Sequence, residues 1–205
     1  MLVELICYYV PMSLQVCYLI GGAPLTGKST LSDLWAQQHQ ATQLSTDSIR
    51  AWMKRITRPE DYPYLFASST AGPIEFYEEY DTAQKVLDQQ VNEGTDVLKG
   101  IEAFLQCALT MKQLILEGIA ITPDSANYLI ANFPHIKFEV SFLFDDDVAR
   151  IKNRIHERGL WGPKGSYPQH LEEKEVEWVV LYNEYYKLAA QKYGFKLIHA
   201  DDLIA

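Results

Sequence analysis

Residues 22–29 read Gly22-Ala23-Pro24-Leu25-Thr26-Gly27-Lys28-Ser29 and match the pattern G-x-x-x-x-G-K-[ST] at every defined position. The two glycines allow the backbone to curl around an anion with its N–H groups pointing inward. A helix that begins near Lys28 would direct its positive end toward the same anion. The stretch therefore predicts a phosphate-binding loop between a strand and a helix.

The side chains of this loop have predicted roles in holding a nucleoside triphosphate. Lys28 would reach the β- and γ-phosphates, the Ser29 hydroxyl would ligate Mg²⁺, and Thr30 would contact the α-phosphate. We expect ATP and Mg²⁺ as ligands, and the predicted nucleotide-binding set is Gly22, Ala23, Pro24, Thr26, Gly27, Lys28, Ser29 and Thr30.

Strand and helix patterns alternate along the rest of the chain. Strands are predicted at 15–20, 42–44, 112–117, 137–144 and 196–199, and helices at 29–38, 48–56, 124–132, 145–158 and 171–193. Residues 58–73 contain three prolines and are predicted as loop, whereas 74–111 is predicted as mostly helical with a break near 92–95. This alternation indicates an α/β protein with a parallel sheet covered on both faces.

The second predicted strand ends in Leu44-Ser-Thr-Asp47-Ser-Ile-Arg50, which resembles the D-x-x-R element of P-loop kinases that act on small substrates. That resemblance implies that Asp47 accepts the proton of the acceptor hydroxyl and that Arg50 binds an anionic group of the acceptor. Arg50 lies one turn after Asp47 and so on the same helix face. The alternative is that Asp47 caps the helix and Arg50 is a solvated charge, although Ser45 and Thr46 could also cap.

Glu117 ends the strand that takes the Walker B position. A strict Walker B strand ends in Asp, so the Glu argues against a GTPase or a motor ATPase. Glu117 is predicted to hold Mg²⁺ through water or to orient the substrate. It could also be a carboxylate that merely faces solvent at the strand end.

Arg150, Arg154 and Arg158 recur every four residues on one predicted helix face, just before a glycine-rich loop. The pattern predicts a lid at about 145–170 that closes on the γ-phosphate and excludes water. Arg154 and Arg158 are the predicted catalytic arginines, and Arg150 could be a structural ion pair. The alternative is a solvated face paired with nearby acidic residues.

The composition is that of one ordinary globular domain. The chain has 205 residues, 48% of them hydrophobic, and a net charge of −9. The acidic balance argues against nucleic acid or an anionic membrane as a partner. Three scattered cysteines and the lack of a basic region before the apolar residues 2–10 favour a cytoplasmic protein. Residues 1–14 are predicted as an extension, and Met12 is an alternative start.

The order of these motifs is similar to that of the P-loop kinases of the adenylate-kinase-like group. Ser45-Thr-Asp-Ser-Ile-Arg50 and Leu116-Glu-Gly118 resemble 2-phosphoglycerate kinases in particular, and zeta-type toxins and gluconate and shikimate kinases share the same skeleton. The resemblance implies a three-layer P-loop NTPase fold with five parallel strands in the order 2-3-1-4-5 and a small lid. ATP would bind at the carboxyl ends of the strands.

These features favour a kinase that phosphorylates the hydroxyl of a small, anionic metabolite. Lys28, Asp47, Arg154 and Arg158 are the predicted catalytic residues, with Asp47, Arg50 and Glu117 on the acceptor and with Ser29 and Glu117 near the metal. An ATP-binding regulator or toxin-like protein, and a nucleoside, nucleotide or polynucleotide 5′-kinase, remain alternatives. Residues 58–111 match no acceptor signature, so the acceptor is not identified, and neither is the oligomeric state.

Overall fold

Five parallel strands form one sheet at the centre of the computed structural model, which describes residues 15–67, 73–108, 111–158 and 168–203. The strands are β1 (Gln15–Gly22), β2 (Thr42–Ser45), β3 (Gln113–Glu117), β4 (Ile136–Phe144) and β5 (Lys196–His199). Their spatial order is β2-β3-β1-β4-β5, which confirms the predicted topology. The carboxyl ends of β1, β2 and β3 therefore lie side by side at one edge of the sheet.

Helices connect the strands and cover both faces of the sheet. They are α1 (Lys28–His39), α2 (Thr46–Ile56), α3 (Pro63–Ala67), α4 (Pro73–Glu79), α5 (Ala83–Cys107), α6 (Pro123–Asn132), α7 (Val148–Arg158) and α8 (Gln169–Tyr193), followed by a 3₁₀ turn at Ala200–Leu203. Each strand boundary predicted from the sequence lies within two residues of the observed one.

Alternation along β1 explains the three layers, because successive side chains of a strand point to opposite faces. Leu19 points into the larger core, which α5, α6 and α8 share, whereas Tyr18 and Ile20 point into a smaller core with Leu31 of α1. Both faces of this short apolar strand are thus buried, as is typical of parallel sheets.

The predicted break at 92–95 is wrong, because α5 runs through these residues without interruption. Buried apolar side chains on either side, such as Leu87 and Val97, hold one helix face against the core, and this packing outweighs the weak helix propensity of the polar residues between them. The helical stretch is divided instead just before Thr82, whose side chain accepts a hydrogen bond from Lys85 N and caps α5.

The segment 58–73, predicted as loop, contains the short helix α3. Two side chains of α5 hold this helix: Asp96 accepts a hydrogen bond from Leu65 N at 2.9 Å, and Gln89 donates one to Tyr64 O at 2.9 Å. These bonds join residues far apart in the chain, so local sequence patterns did not reveal them.

Two predicted features lie partly or wholly outside the described residues. The extension at 1–14 is outside them, as is the central part of the predicted lid loop, residues 159–167. Of the predicted lid, α7 and the start of α8 lie within the described residues. Within the described ranges, no helix combines the length and the apolar character needed to cross a bilayer.

Candidate active site

The phosphate-binding loop connects β1 to α1 at the carboxyl edge of the sheet. Gly22 has a φ of 139° and Gly27 a φ of 95°, values that side-chain-bearing residues rarely adopt. Thr26 is buried, and its hydroxyl donates a hydrogen bond to Ala23 O at 2.8 Å across the loop. The motif glycines therefore occupy the backbone conformations for which the pattern selects them, and the loop has the predicted position between strand and helix.

Lys28 is buried at the first turn of α1. Its Nζ donates a hydrogen bond to Ala23 O at 2.7 Å, so the ammonium group faces the inside of the loop. Burial lowers the pKa of Lys28 to about 8, although the charges of Glu117 and Asp47 act in the opposite direction. A phosphate in the loop would give this buried cation a close anionic partner.

Glu117 lies at the end of β3, next to Ile20 of β1 and Ser45 of β2 in the sheet register. It is only 6% exposed, so it is not the solvent-facing carboxylate considered as an alternative. Burial raises the pKa of Glu117, and a hydrogen bond from Ser45 and the charge of Lys28 offset this only in part. A buried carboxylate beside the phosphate loop is chemically suited to a cation or a hydroxyl group.

Ser45 caps α2, because its side-chain oxygen accepts a hydrogen bond from Asp47 N at 3.2 Å. The Asp47 carboxylate is therefore free of the capping role that was its alternative. It is 64% exposed and forms an ion pair with Arg50 at 3.3 Å. Arg50 also approaches Glu93 of α5 at 3.7 Å. The helix face that carries Asp47 and Arg50 thus points toward both solvent and α5.

A cavity of about 580 Å³ brings most of the predicted site residues together. Its walls include the predicted residues Pro24, Gly27, Lys28, Ser29, Thr30, Asp47, Arg50, Glu117 and Arg158. They come from the phosphate loop, from the start of α2, from the end of β3 and from the end of α7. Gly22, Ala23 and Thr26 form the inner side of the loop and do not line this cavity.

Six further lining residues were not predicted as site residues, and three of them, Phe76, Gln90 and Trp178, come from α4, α5 and α8. Phe76 and Gln90 belong to the stretch 74–111, where no acceptor signature was found, and Trp178 was interpreted as core or lid packing. All three are buried, and the indole Nε1 of Trp178 has no hydrogen-bond partner among the described residues. Gln90 stands among other polar residues, such as Asp88, Gln89 and Asn92, so no pattern in the sequence distinguishes it as a site residue.

The three arginines of α7 have different environments. Arg150 binds the buried carboxylate of Asp145 through two bonds of 2.7 Å and also contacts Asp201, so it is the structural ion pair considered as an alternative. Arg154 donates a hydrogen bond to Leu25 O at 2.8 Å and pairs with Asp145 at 3.2 Å. Arg158 is exposed at the helix end. Residues with regular spacing in the sequence therefore have three distinct environments in the structure.

A second cavity of about 400 Å³ lies on the other side of the phosphate loop. Arg154 and Arg158 line it together with Thr26, Gly27 and Thr30, and Ala200 and Leu203 close it from the end of the chain. Arg158 is thus shared by both cavities, whereas Arg154 lines only the second. The second cavity is suited to the remaining part of a nucleotide whose phosphates occupy the loop.

No protein-family model matches the chain. A curated 2-phosphoglycerate kinase from Methanopyrus kandleri is 29% identical over 164 residues, which cover 77% of this chain and 49% of that protein. The chain thus spans about half the length of the curated relative it matches. This similarity confirms the resemblance to 2-phosphoglycerate kinases that the sequence motifs indicated.

Two solved structures align with most of the chain. The protein TT1252 from Thermus thermophilus aligns with a TM-score of 0.52 at 12% identity, covering 94% of each chain. A shikimate kinase from Bacteroides thetaiotaomicron aligns with a TM-score of 0.47 at 15% identity, covering 91% of this chain and 87% of that one. The alignment with TT1252 shows that the fold recurs in a solved structure.

Proposed function

We propose that this protein is an ATP-dependent phosphotransferase that phosphorylates the hydroxyl group of a small, anionic metabolite. One observation carries the proposal: Lys28 of the phosphate loop, Asp47 and Arg50 line a single cavity. A site that only binds a nucleotide has no need of an exposed carboxylate and a second cation in the same cavity as the phosphate-loop lysine. This arrangement supports a two-substrate site with a donor half and an acceptor half.

The donor half fits a triphosphate and Mg²⁺. Lys28 would bind the β- and γ-phosphates, and Ser29 and Glu117 offer the hydroxyl and carboxylate oxygens that Mg²⁺ prefers. The described residues contain no cluster of three or more metal-binding side chains, which suits an ion held mainly by phosphate and water. When bound, Mg²⁺ would neutralise charge on the phosphate oxygens.

The acceptor half would carry out the proton transfer. Asp47 accepts the proton of the acceptor hydroxyl while that oxygen bonds to the γ-phosphorus. The bond between the γ-phosphorus and the bridging oxygen breaks, and ADP leaves with the electron pair. Arg50 holds an anionic group of the acceptor so that the hydroxyl lies close to Asp47. The exposure of Asp47 to the cavity and its proximity to Arg50 support these roles.

The lid would complete the site from α7. Arg158 lines both cavities, so its guanidinium can stabilise charge on the transferring phosphoryl group. Arg154 would act indirectly on the phosphoryl group, because its hydrogen bond to Leu25 O supports the loop that would carry the phosphates. Closure of this helix over the cavity would also keep water from the γ-phosphate.

The first acceptor to test is 2-phosphoglycerate, because of the similarity to the kinase from Methanopyrus kandleri. This molecule has the properties that the cavity suggests: it is small, it is anionic, and it carries a free hydroxyl. The net charge of −9 makes nucleic acid a poor acceptor candidate.

The experiment is a transfer assay with ATP and Mg²⁺ against 2-phosphoglycerate and a panel of small hydroxy acids, with product identified by mass spectrometry. We expect a phosphorylated product from at least one acceptor. Asp47→Asn should lower kcat by at least about 100-fold while the KM for ATP changes less than twofold. Asp61→Asn, an exposed aspartate that lines neither cavity, is the matched control.

Two results would contradict the proposal. If ATP binds but no acceptor is phosphorylated, an ATP-binding regulator becomes the better interpretation. If transfer occurs and Asp47→Asn retains the wild-type rate, Asp47 is not the base, although the protein is a kinase.

A further inference from the structure

Glu93 is a buried carboxylate on α5, directly behind the acceptor side of the larger cavity. It is 3% exposed, and its oxygen Oε1 lies 3.7 Å from Arg50 and 3.6 Å from Lys54, both of α2. Gln90, one turn earlier on α5, donates to Oε2 at 3.5 Å. Glu93 therefore faces two cations of the helix that carries the proposed catalytic base.

This burial is unfavourable for the charged form of the carboxylate. Burial raises the pKa of Glu93, and the charges of Arg50 and Lys54 act to lower it. A buried ion pair adds little net stability compared with an apolar contact of similar volume. The location of Glu93 is better explained by what its charge holds in place.

What Glu93 holds is the side chain of Arg50. Arg50 lies between two carboxylates, with Asp47 at 3.3 Å on the cavity side and Glu93 at 3.7 Å behind it. These contacts are longer than the 2.7 Å bonds between Arg150 and Asp145, so Arg50 retains donors for a ligand. Without Glu93, Asp47 would be the one carboxylate left to Arg50 among the described residues.

A third, much smaller cavity adjoins Glu93. It holds about 10 Å³, which is about the room that one water needs. Thr46 and Glu93 both line it, and Thr46 Oγ1 and Glu93 Oε1 are buried without a hydrogen-bond partner among the described residues. Asp47, Arg50 and Gln90 line it as well. One water, which can both donate and accept, would complete the hydrogen bonding of both oxygens, while Glu93 Oε1 also keeps its ionic contacts with Arg50 and Lys54.

We propose that Glu93 is a positioning residue that shares the guanidinium of Arg50 with Asp47 and keeps it from turning fully onto the Asp47 carboxylate, with one water bound between Glu93 Oε1 and Thr46 Oγ1. The proposal rests on the proposed function, in which Asp47 is the base and Arg50 binds the acceptor. Because Arg50 is shared between the two carboxylates, it does not neutralise Asp47 alone, so Asp47 can take the proton of the acceptor hydroxyl and Arg50 keeps donors for the acceptor anion. The water completes the hydrogen bonding of the buried carboxylate.

Glu93→Gln tests this role, because it keeps the shape of the side chain and removes its charge. With 2-phosphoglycerate or another acceptor found active in the panel, we expect kcat to fall at least about tenfold while the KM for ATP changes less than twofold. Glu102→Gln is the matched control, since Glu102 lies on the same helix, pairs with Lys99 and lines neither large cavity. An unchanged kcat in Glu93→Gln would overturn the proposal, whatever its thermal stability.

A second measurement separates this inference from the proposed function. The side-chain Nε–H signal of Arg50 in ¹⁵N-arginine spectra, assigned by its loss in Arg50→Lys, should shift in Glu93→Gln and remain in place in Glu102→Gln. If no acceptor is phosphorylated but the signal shifts, the proposed function fails and Glu93 still positions Arg50. An Arg50 signal that does not move would refute the positioning role itself.

Thr46 provides a test that does not depend on the folding of the Glu93 variant. Thr46→Val removes the orphaned hydroxyl at nearly constant volume, and we expect kcat to fall about threefold, with recovery in Thr46→Ser. A high-resolution crystal structure should show one water within hydrogen-bond distance of both oxygens. A small cavity without that density would refute the water site.

Discussion

Arg154 donates a hydrogen bond of 2.8 Å to the carbonyl oxygen of Leu25, 129 positions earlier in the chain. This bond links α7 to the phosphate-binding loop. The same guanidinium pairs with the buried Asp145 at 3.2 Å, so Arg154 is held from both sides. Arg158, one turn later and exposed, is the arginine that lines both cavities. Arg154 therefore supports the loop, and Arg158 is the arginine for which we propose a role on the transferring group.

Arg158→Ala should lower kcat about 100-fold, because it removes a cation that would stabilise the transition-state charge. The melting temperature should change little, since the side chain is exposed. Steady-state kinetics and thermal unfolding measure the two effects. Lys152→Ala removes an exposed cation from the same helix that lines neither cavity and should leave kcat unchanged. Equal losses in both variants would mean that only the general charge of α7 matters.

ATP binding should take up a proton near pH 9 and weaken as the pH rises above about 8. Burial lowers the pKa of Lys28 to about 8 in the free protein, and a bound triphosphate would raise it because an opposite charge favours the ammonium form. Between these two pKa values the free protein has lost a proton that the complex retains. Calorimetry in buffers of different ionisation enthalpy measures this uptake.

The lowered pKa of Lys28 also makes the stability of the folded protein depend on pH. The pKa of Lys28 in the folded state lies below its ordinary value of 10.5, so the unfolded chain binds the proton more tightly, and the contribution of Lys28 to stability improves as the pH rises from about 8 to 10.5.

The control for the calorimetry is Lys28→Met, which should abolish the proton uptake on ATP addition. A wild-type heat of binding that is the same in every buffer would show that Lys28 keeps its charge throughout.

Gly118→Ala should destabilise the protein by about 3 kcal/mol and disturb the site. Gly118 has a φ of 141°, and a Cβ there would lie 1.9 Å from Thr46 Oγ1 at the start of α2. Gly194→Ala is the control: Gly194 also has a positive φ, 69°, but a Cβ there would meet nothing within 4 Å, so a cost of about 1 kcal/mol is expected. Urea unfolding measures both free energies, and equal values would show that backbone strain alone sets the cost.

Local sequence patterns were sufficient to predict the strands and the phosphate loop. A short apolar run such as β1 is buried on both faces wherever it lies in a parallel sheet, and the loop glycines have conformations that depend on adjacent residues alone. The continuity of α5 through residues 92–95 could not be predicted from local patterns, because core contacts of Leu87 and Val97 with residues distant in the chain stabilise the helix.

By itself, the sequence determined the nucleotide half of this site, because Lys28 and Ser29 are placed by a contiguous motif whose geometry is local. Only the tertiary structure decided how the environments of the three arginines of α7 differ, that Gln90 and Trp178 line the larger cavity, and that Glu93 contacts Arg50. Those contacts join α2, α5, α7 and α8 across long sequence separations. Side chains brought together by packing leave no periodic or contiguous pattern in the chain, so their common site becomes visible once the helices are assembled.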